Sequence, residues 1–85
     1  MNRDLHKVVV IVSSDANCDF VYRKISEESK EVFVPGMAVI VDEMEKVVGV
    51  VTDGDFRRAY NRNIDFESSI STVMNSDPLF IKSEE

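Results

Sequence analysis

Thr52, Asp53, Gly54, Asp55, Arg57 and Arg58 stand together where the apolar run Val50-Val51 gives way to a helix-like pattern. These residue types at a helix start suit anion and sugar binding. A helix N-terminus offers unpaired backbone N–H groups and the positive end of the macrodipole, which favour phosphate. Thr52 adds a hydroxyl at that spot. Asp55 adds an acceptor-only carboxylate, able to take hydrogen bonds from both hydroxyls of a ribose diol. Gly49, inside the preceding strand, permits close approach by a ligand or another backbone. Such a set would hold a nucleotide by its sugar and phosphate. The same residues also admit a purely structural reading. Thr52-x-x-Asp55 fits a capping box, in which Asp55 reaches back to the N–H of Thr52. Gly54 would then relieve a tight turn. Positive charge in a first helical turn opposes the dipole and costs a few tenths of a kcal/mol. Arg57 and Arg58 therefore either face a ligand phosphate, pair with Asp53 or Asp55, or lie on a solvated surface.

Other chemistry has little support. Asp53-Gly54-Asp55 has the form of the short Asp-x-Asp metal motif of nucleotide-sugar transferases, but the chain is too short for such an enzyme, and no metal site is expected. One cysteine, Cys18, and one histidine, His6, exclude an internal disulfide and a multi-cysteine zinc site. Cys18 lies on an apolar helical stripe and reads as core. His6 reads as an exposed end residue. Met37 reads as a core or ligand-contact residue, Met44 as a turn residue and Met74 as core.

The elements that must position these residues are few. The chain has 85 residues and 9.6 kDa, with 44% apolar and 31% charged side chains, the balance of a folded domain. A chain this size buries roughly 60–65% of its unfolded surface, enough for one core. Ten basic against sixteen acidic residues give a net charge of −6, which argues against a nonspecific nucleic-acid binder. The longest apolar runs, such as Val8 to Val12, fall far short of the ~20 residues of a membrane span. No signal peptide is visible, so a reduced, cytoplasmic location is expected.

Lys7 to Val12 predicts a buried strand. Ser13-Ser14-Asp15 supplies helix-capping residues. Cys18, Val21, Tyr22 and Ile25 form the stripe of a helix running to about Glu28. After Val32-Phe33-Val34 and the Pro35-Gly36 break, Met37 to Val41 and Lys46 to Thr52 predict a hairpin around the acidic turn 42–45. Asp53 to Asn61 predicts a second helix with Phe56, Ala59 and Tyr60 on one face. Phe66, Ile70, Val73 and Met74 share a face of a further helical piece from Asp65 or Phe66 to Met74. Leu79-Phe80-Ile81 followed by Ser83 and acidic residues repeats the logic of Val9 to Asp15, as in a tandem array cut short. The order is β-α-β-β-α, a mixed α/β layer.

Residues 37–58 closely resemble the second half of a CBS (cystathionine-β-synthase) domain. The shared pattern is an apolar strand, an Asp-containing turn, a strand ending in Gly49-Val-Val-Thr-Asp-Gly-Asp55, and a helix. Ile70 to Met74 is similar to the stretch before the linker to a next repeat, and Asn75 to Ile81 to the opening of that repeat. Residues 7–29 fit more loosely. The resemblance implies an α/β (α+β) unit with a small mixed sheet packed against helices. It implies one CBS domain over residues 1–75 and the start of a second over 76–85.

It also implies a non-catalytic regulatory module that binds an adenosine ligand (AMP, ADP, ATP or S-adenosylmethionine) and requires no cofactor. Thr52 and Asp55 would contact phosphate and ribose, with Asp53, Gly54 and Arg58 beside them. The base would lie between about Val12-Ser13 and Met37-Ala38. Expected partners are a second CBS domain or a homodimer, an adenine nucleotide, and an attached enzyme domain. The Thr-Asp-Gly-Asp-h-Arg-Arg variant is similar to CBS domains attached to sugar-phosphate isomerases and sugar nucleotidyltransferases. No nucleic acid or membrane partner is expected. Two departures from the family stand out: only one full repeat, and a longer 29–36 connection bearing exposed-looking Val32, Phe33 and Val34. The alternative is a structural dimerisation module that binds no ligand and uses Thr52 and Asp55 only as a cap.

Overall fold

The computed structural model describes residues 8–28, 32 and 35–76. Along the chain run strand β1 (Val10–Ser13), helix α1 (Cys18–Glu28), strands β2 (Met37–Val41) and β3 (Val47–Thr52), helix α2 (Asp53–Asn61) and a 3-10 turn (Ile70–Thr72). The expected β-α-β-β-α order is observed.

The strands form one sheet in the order β1-β2-β3. A helical crossover joins β1 to β2, and they run parallel, with Val10 beside Ala38 and Ser13 beside Val41. A short turn joins β2 to β3, and they run antiparallel, with Met37 beside Thr52 and Ala38 beside Val51. Asp42 shapes that turn: its Oδ1 accepts the N–H groups of Met44 (2.8 Å) and Lys46 (2.9 Å). Met44 is exposed there, as a turn residue should be.

Both helices bury against the same face of the sheet. Val10, Val12, Ala38, Ile40 and Val51 meet Cys18, Val21 and Ile25 from α1, Phe56 from α2, and Ile70. Alternation along each strand sends Ile11, Val39 and Val50 to the opposite face. The register sets these three side by side, one from each strand.

Several expectations shift. Lys7 lies outside the described residues, and the strand starts at Val10 and extends through Ser13. Ser13 is thus a strand residue rather than a helix cap. Asn17 caps α1 instead, its Oδ1 accepting the N–H of Phe20 at 2.8 Å. Tyr22 and Tyr60 are more exposed than their stripes implied, at 45% and 75%. The buried side of α2 lies between Phe56 and Ala59, and Tyr60 follows Ala59 by a further turn of about 100°. Tyr22 instead rests edge-on against Phe56, ring centroids 5.4 Å apart.

The piece expected as a helix over residues 65–74 is only the 3-10 turn. Its carbonyls are used elsewhere. Those of Phe66 and Ser68 accept the N–H groups of Asp19 (2.8 Å) and Cys18 (2.9 Å), satisfying the open start of α1. Phe66, Ile70, Val73 and Met74 do reach the core, as their shared face indicated. Val32, read as exposed, is half-buried against that core. Phe33, Val34, His6 and the strand expected at 79–81 lie outside the described residues.

Candidate functional site

Thr52 ends β3 and begins α2 in one residue. Its extended backbone (φ −125°, ψ 169°) turns the chain out of the sheet. The Asp55 N–H donates to Thr52 Oγ1 at 3.3 Å. In return Asp55 Oδ2 accepts the Thr52 N–H at 2.9 Å and its hydroxyl at 3.1 Å. The capping box read from the spacing is present in full.

The other oxygen of Asp55 faces Arg58. Arg58 Nη2 lies 2.5 Å from Asp55 Oδ1, across one helical turn. Asp55 is mostly shielded, with 18% of its side chain exposed, whereas Arg58 is 65% exposed. The Arg58 guanidinium folds back over the first turn. A Cβ placed on Gly54 would meet its Nη1 at 3.5 Å and Thr52 Oγ1 at 3.7 Å. That is ordinary contact, so Gly54 relieves no clash here.

The sheet brings the start of β2 to this junction. Met37 is the register partner of Thr52, and Ala38 is buried between Val51 and Val10. The Asp53 N–H donates to the carbonyl of Gly36 at 2.9 Å, tying the entry of β2 to the first residue of α2. Gly36 takes φ +79°, and a Cβ there would meet Asp53 Oδ2 at 2.9 Å. A glycine is required on both counts. Thr52, Asp53, Gly54, Asp55, Arg58, Met37 and Ala38 are therefore neighbours.

Ser13 is not brought to them. It pairs with Val41, at the opposite end of β2 from Met37, and its Oγ accepts the N–H of Asp15 at 3.0 Å. A parallel β1 puts its first residue, not its last, next to the start of β2. The residue of β1 nearest the junction is Val10, with Val9 preceding it. Sequence reasoning passed over both. The signal was available: a strand-helix-strand crossover implies parallel pairing and a hairpin implies antiparallel pairing.

Gly49 approaches backbone of its own chain. A Cβ there would meet Met74 Sδ at 2.6 Å and the Asn75 carbonyl oxygen at 3.2 Å. Val50 and Asn75 exchange both backbone hydrogen bonds, at 2.9 and 2.7 Å. This closes a groove of about 380 Å³ lined by Asp55, Arg58, Arg62, Thr72, Met74 and Ser76 among others. A second groove, of about 930 Å³, lies between the helices, with Tyr22, Phe56, Phe66 and Tyr60 beside Asp53 and Arg57.

Among the described residues, no three His, Cys, Asp or Glu side chains come together as a metal site. No helix among them is long and apolar enough to cross a membrane. Cys18 is fully buried, and burial pushes its thiol pKa up, so it stays a protonated core residue.

A family model for the CBS domain matches residues 2–62. Arabinose 5-phosphate isomerase KdsD of Pseudomonas aeruginosa is 50% identical over 40 residues, which are 46% of this chain and 12% of that enzyme. A CBS-domain containing protein from Agrobacterium tumefaciens superposes with a TM-score of 0.71 at 20% identity, over 84% of this chain and 51% of its own. A CBS domain protein from Pyrobaculum aerophilum, complexed with AMP, gives 0.68 at 22% identity, over 99% of this chain and 64% of its own. The chain thus spans about half to two thirds of these solved relatives. With the strand order, the capped β3–α2 junction and the matched residues in agreement, the chain belongs to the CBS domain family, whose members are generally regulatory and non-catalytic.

Proposed function

We propose that this chain is a regulatory module that binds an adenosine nucleotide or related ligand at the β3–α2 junction. Thr52 and the amide of Gly54 would meet phosphate, the Asp53 amide being held by the carbonyl of Gly36. Asp55 would meet the ribose diol and Met37 would wall the base, with only the backbone of Ala38 at its edge because that side chain is buried in the core. The observation that carries this reading is the junction itself. The register holds Met37 against Thr52, so a diol acceptor, a hydroxyl, a helix start and an apolar wall share one corner. The AMP complex of the Pyrobaculum relative supports the ligand class. The isomerase match supports an attached enzyme that handles a sugar phosphate or sugar nucleotide. Control would follow from linkage: a ligand that prefers one arrangement of paired domains shifts the equilibrium toward it.

The capping box and ligand binding are compatible. Thr52 Oγ1 has a lone pair left after its two bonds, and Asp55 Oδ1 has one beyond its bond to Arg58. Titrating AMP into the isotopically labelled chain tests the site. Amide shifts confined to residues 36–38 and 52–58 are expected. Shifts centred on Asp19, Tyr22, Ser26, Tyr60 and Phe66 across the groove between the helices, with residues 36–38 unmoved, would overturn the assignment.

A second reading, a dimerisation module without ligand, draws on the outer face of the sheet. Ile11, Val39 and Val50 form an apolar row there. Thr52 and Met37 share that face by alternation, so a second CBS domain laid on it would also wall the site. Sedimentation equilibrium separates the readings: a tight dimer indifferent to AMP supports dimerisation alone.

A further inference from the structure

We propose that Arg58 makes this site discriminate phosphorylated from unphosphorylated nucleosides by competing for the carboxylate of Asp55. The inference rests on the ligand reading above and adds a specificity residue to it. Its basis is a count of acceptor positions. A carboxylate offers about four lone-pair sites, two on each oxygen. Oδ2 of Asp55 is filled by the N–H and the hydroxyl of Thr52. Oδ1 already accepts Arg58, which leaves one position. A ribose diol brings two hydroxyls. With Arg58 in place it finds a single acceptor, and the guanidinium also lies beside Gly54, in the first turn of the helix.

Arg58 can leave at little cost. It is 65% exposed, and an exposed intrahelical ion pair contributes little. What differs between ligands is where it goes. A nucleoside takes Asp55 from Arg58 and returns nothing, leaving the cation to water. A nucleoside monophosphate takes Asp55 and presents its own dianion beside the helix start. Arg58 then exchanges one anionic partner for another, with the planar fork that suits phosphate. Arg62, the C-cap residue just past the end of α2, lines the same groove as Arg58 and reinforces the positive edge.

The test is calorimetric titration of AMP and of adenosine into the wild type, Arg58→Ala and Arg23→Gln. Arg23 is on α1, paired with Asp19, and controls for the lost unit of charge. Wild type and Arg23→Gln are expected to prefer AMP. In Arg58→Ala the ratio of AMP to adenosine affinity should fall on the order of tenfold, the scale of one lost charge-assisted contact. Adenosine itself should bind no worse than to the wild type. An unchanged ratio, or equal losses for both ligands, with AMP still bound by the wild type, overturns the role of Arg58 alone. Absence of AMP binding by the wild type overturns the ligand reading and this inference together. Arg58→Lys, which keeps the charge but loses the fork, should fall between the two; it serves if Arg58→Ala melts early.

Discussion

At Thr52 the hydroxyl accepts the N–H of Asp55 and donates back to its carboxylate, so deleting it strips α2 of its cap. Thr52→Ala should destabilise the fold by about 1 kcal/mol. For a domain this small that lowers the melting temperature by roughly 4–8 °C. No measurable change would mean that the cap contributes nothing in solution. Cys18 should react with a thiol reagent only as fast as the native state opens, because it is fully buried and burial disfavours its thiolate. Rapid labelling without denaturant would contradict the packing of α1. At this scale the sequence was most legible where a single spacing specifies the geometry. Thr52-x-x-Asp55 implied the reciprocal hydrogen bonds that are found. Pairing of Arg58 with Asp55 was among the options it left open, and only coordinates could choose, since one helical turn brings several acidic groups within reach. Ser13 was harder. The resemblance set it beside Met37, but β1 runs parallel to β2, as the helical crossover implies, so its last residue lies at the far end of β2.

The elements differ in how far local pattern decides them. Helix α2 spans the residues that the sequence indicated, because its cap, its apolar face and its strand neighbour all act locally. The segment before Met74 does not form the expected helix, because the carbonyls of Phe66 and Ser68 serve the start of α1 across the fold. Apolar periodicity located its core residues but could not see where its backbone hydrogen bonds go. The three glycines extend this contrast. Gly49→Ala should cost roughly 1–3 kcal/mol, because the new methyl runs into Met74 and the backbone of Asn75 beside β3. Gly36→Ala should cost about 1–2 kcal/mol from its positive φ alone, with the Asp53 carboxylate adding to it. Gly54→Ala meets only ordinary contacts and should leave stability nearly unchanged. Urea unfolding midpoints for the three variants check this order, and a Gly54→Ala loss as large as that of Gly49→Ala would contradict it.

Across the whole molecule, one face of the sheet carries both helices and the core, while the other presents Ile11, Val39 and Val50. The fold class was legible because alternating strand and helix signals with one hairpin leave few topologies. How a second domain would meet this one was not, since that depends on the other domain's surface as well. The proposed site lies where this second face meets the helix layer, which would join ligand occupancy to domain pairing in one place. That arrangement would give a regulator its means: a ligand would stabilise whichever paired state completed the site. The most direct measurement is thermal unfolding of the wild type and Asp55→Ala with AMP, ADP, ATP and S-adenosylmethionine at saturating concentration. A ligand held only by the folded state must raise the melting temperature. The account predicts a rise for at least one adenosine ligand in the wild type, lost in Asp55→Ala. A wild type that melts at the same temperature with and without every ligand would contradict it and leave Thr52 and Asp55 as a helix cap.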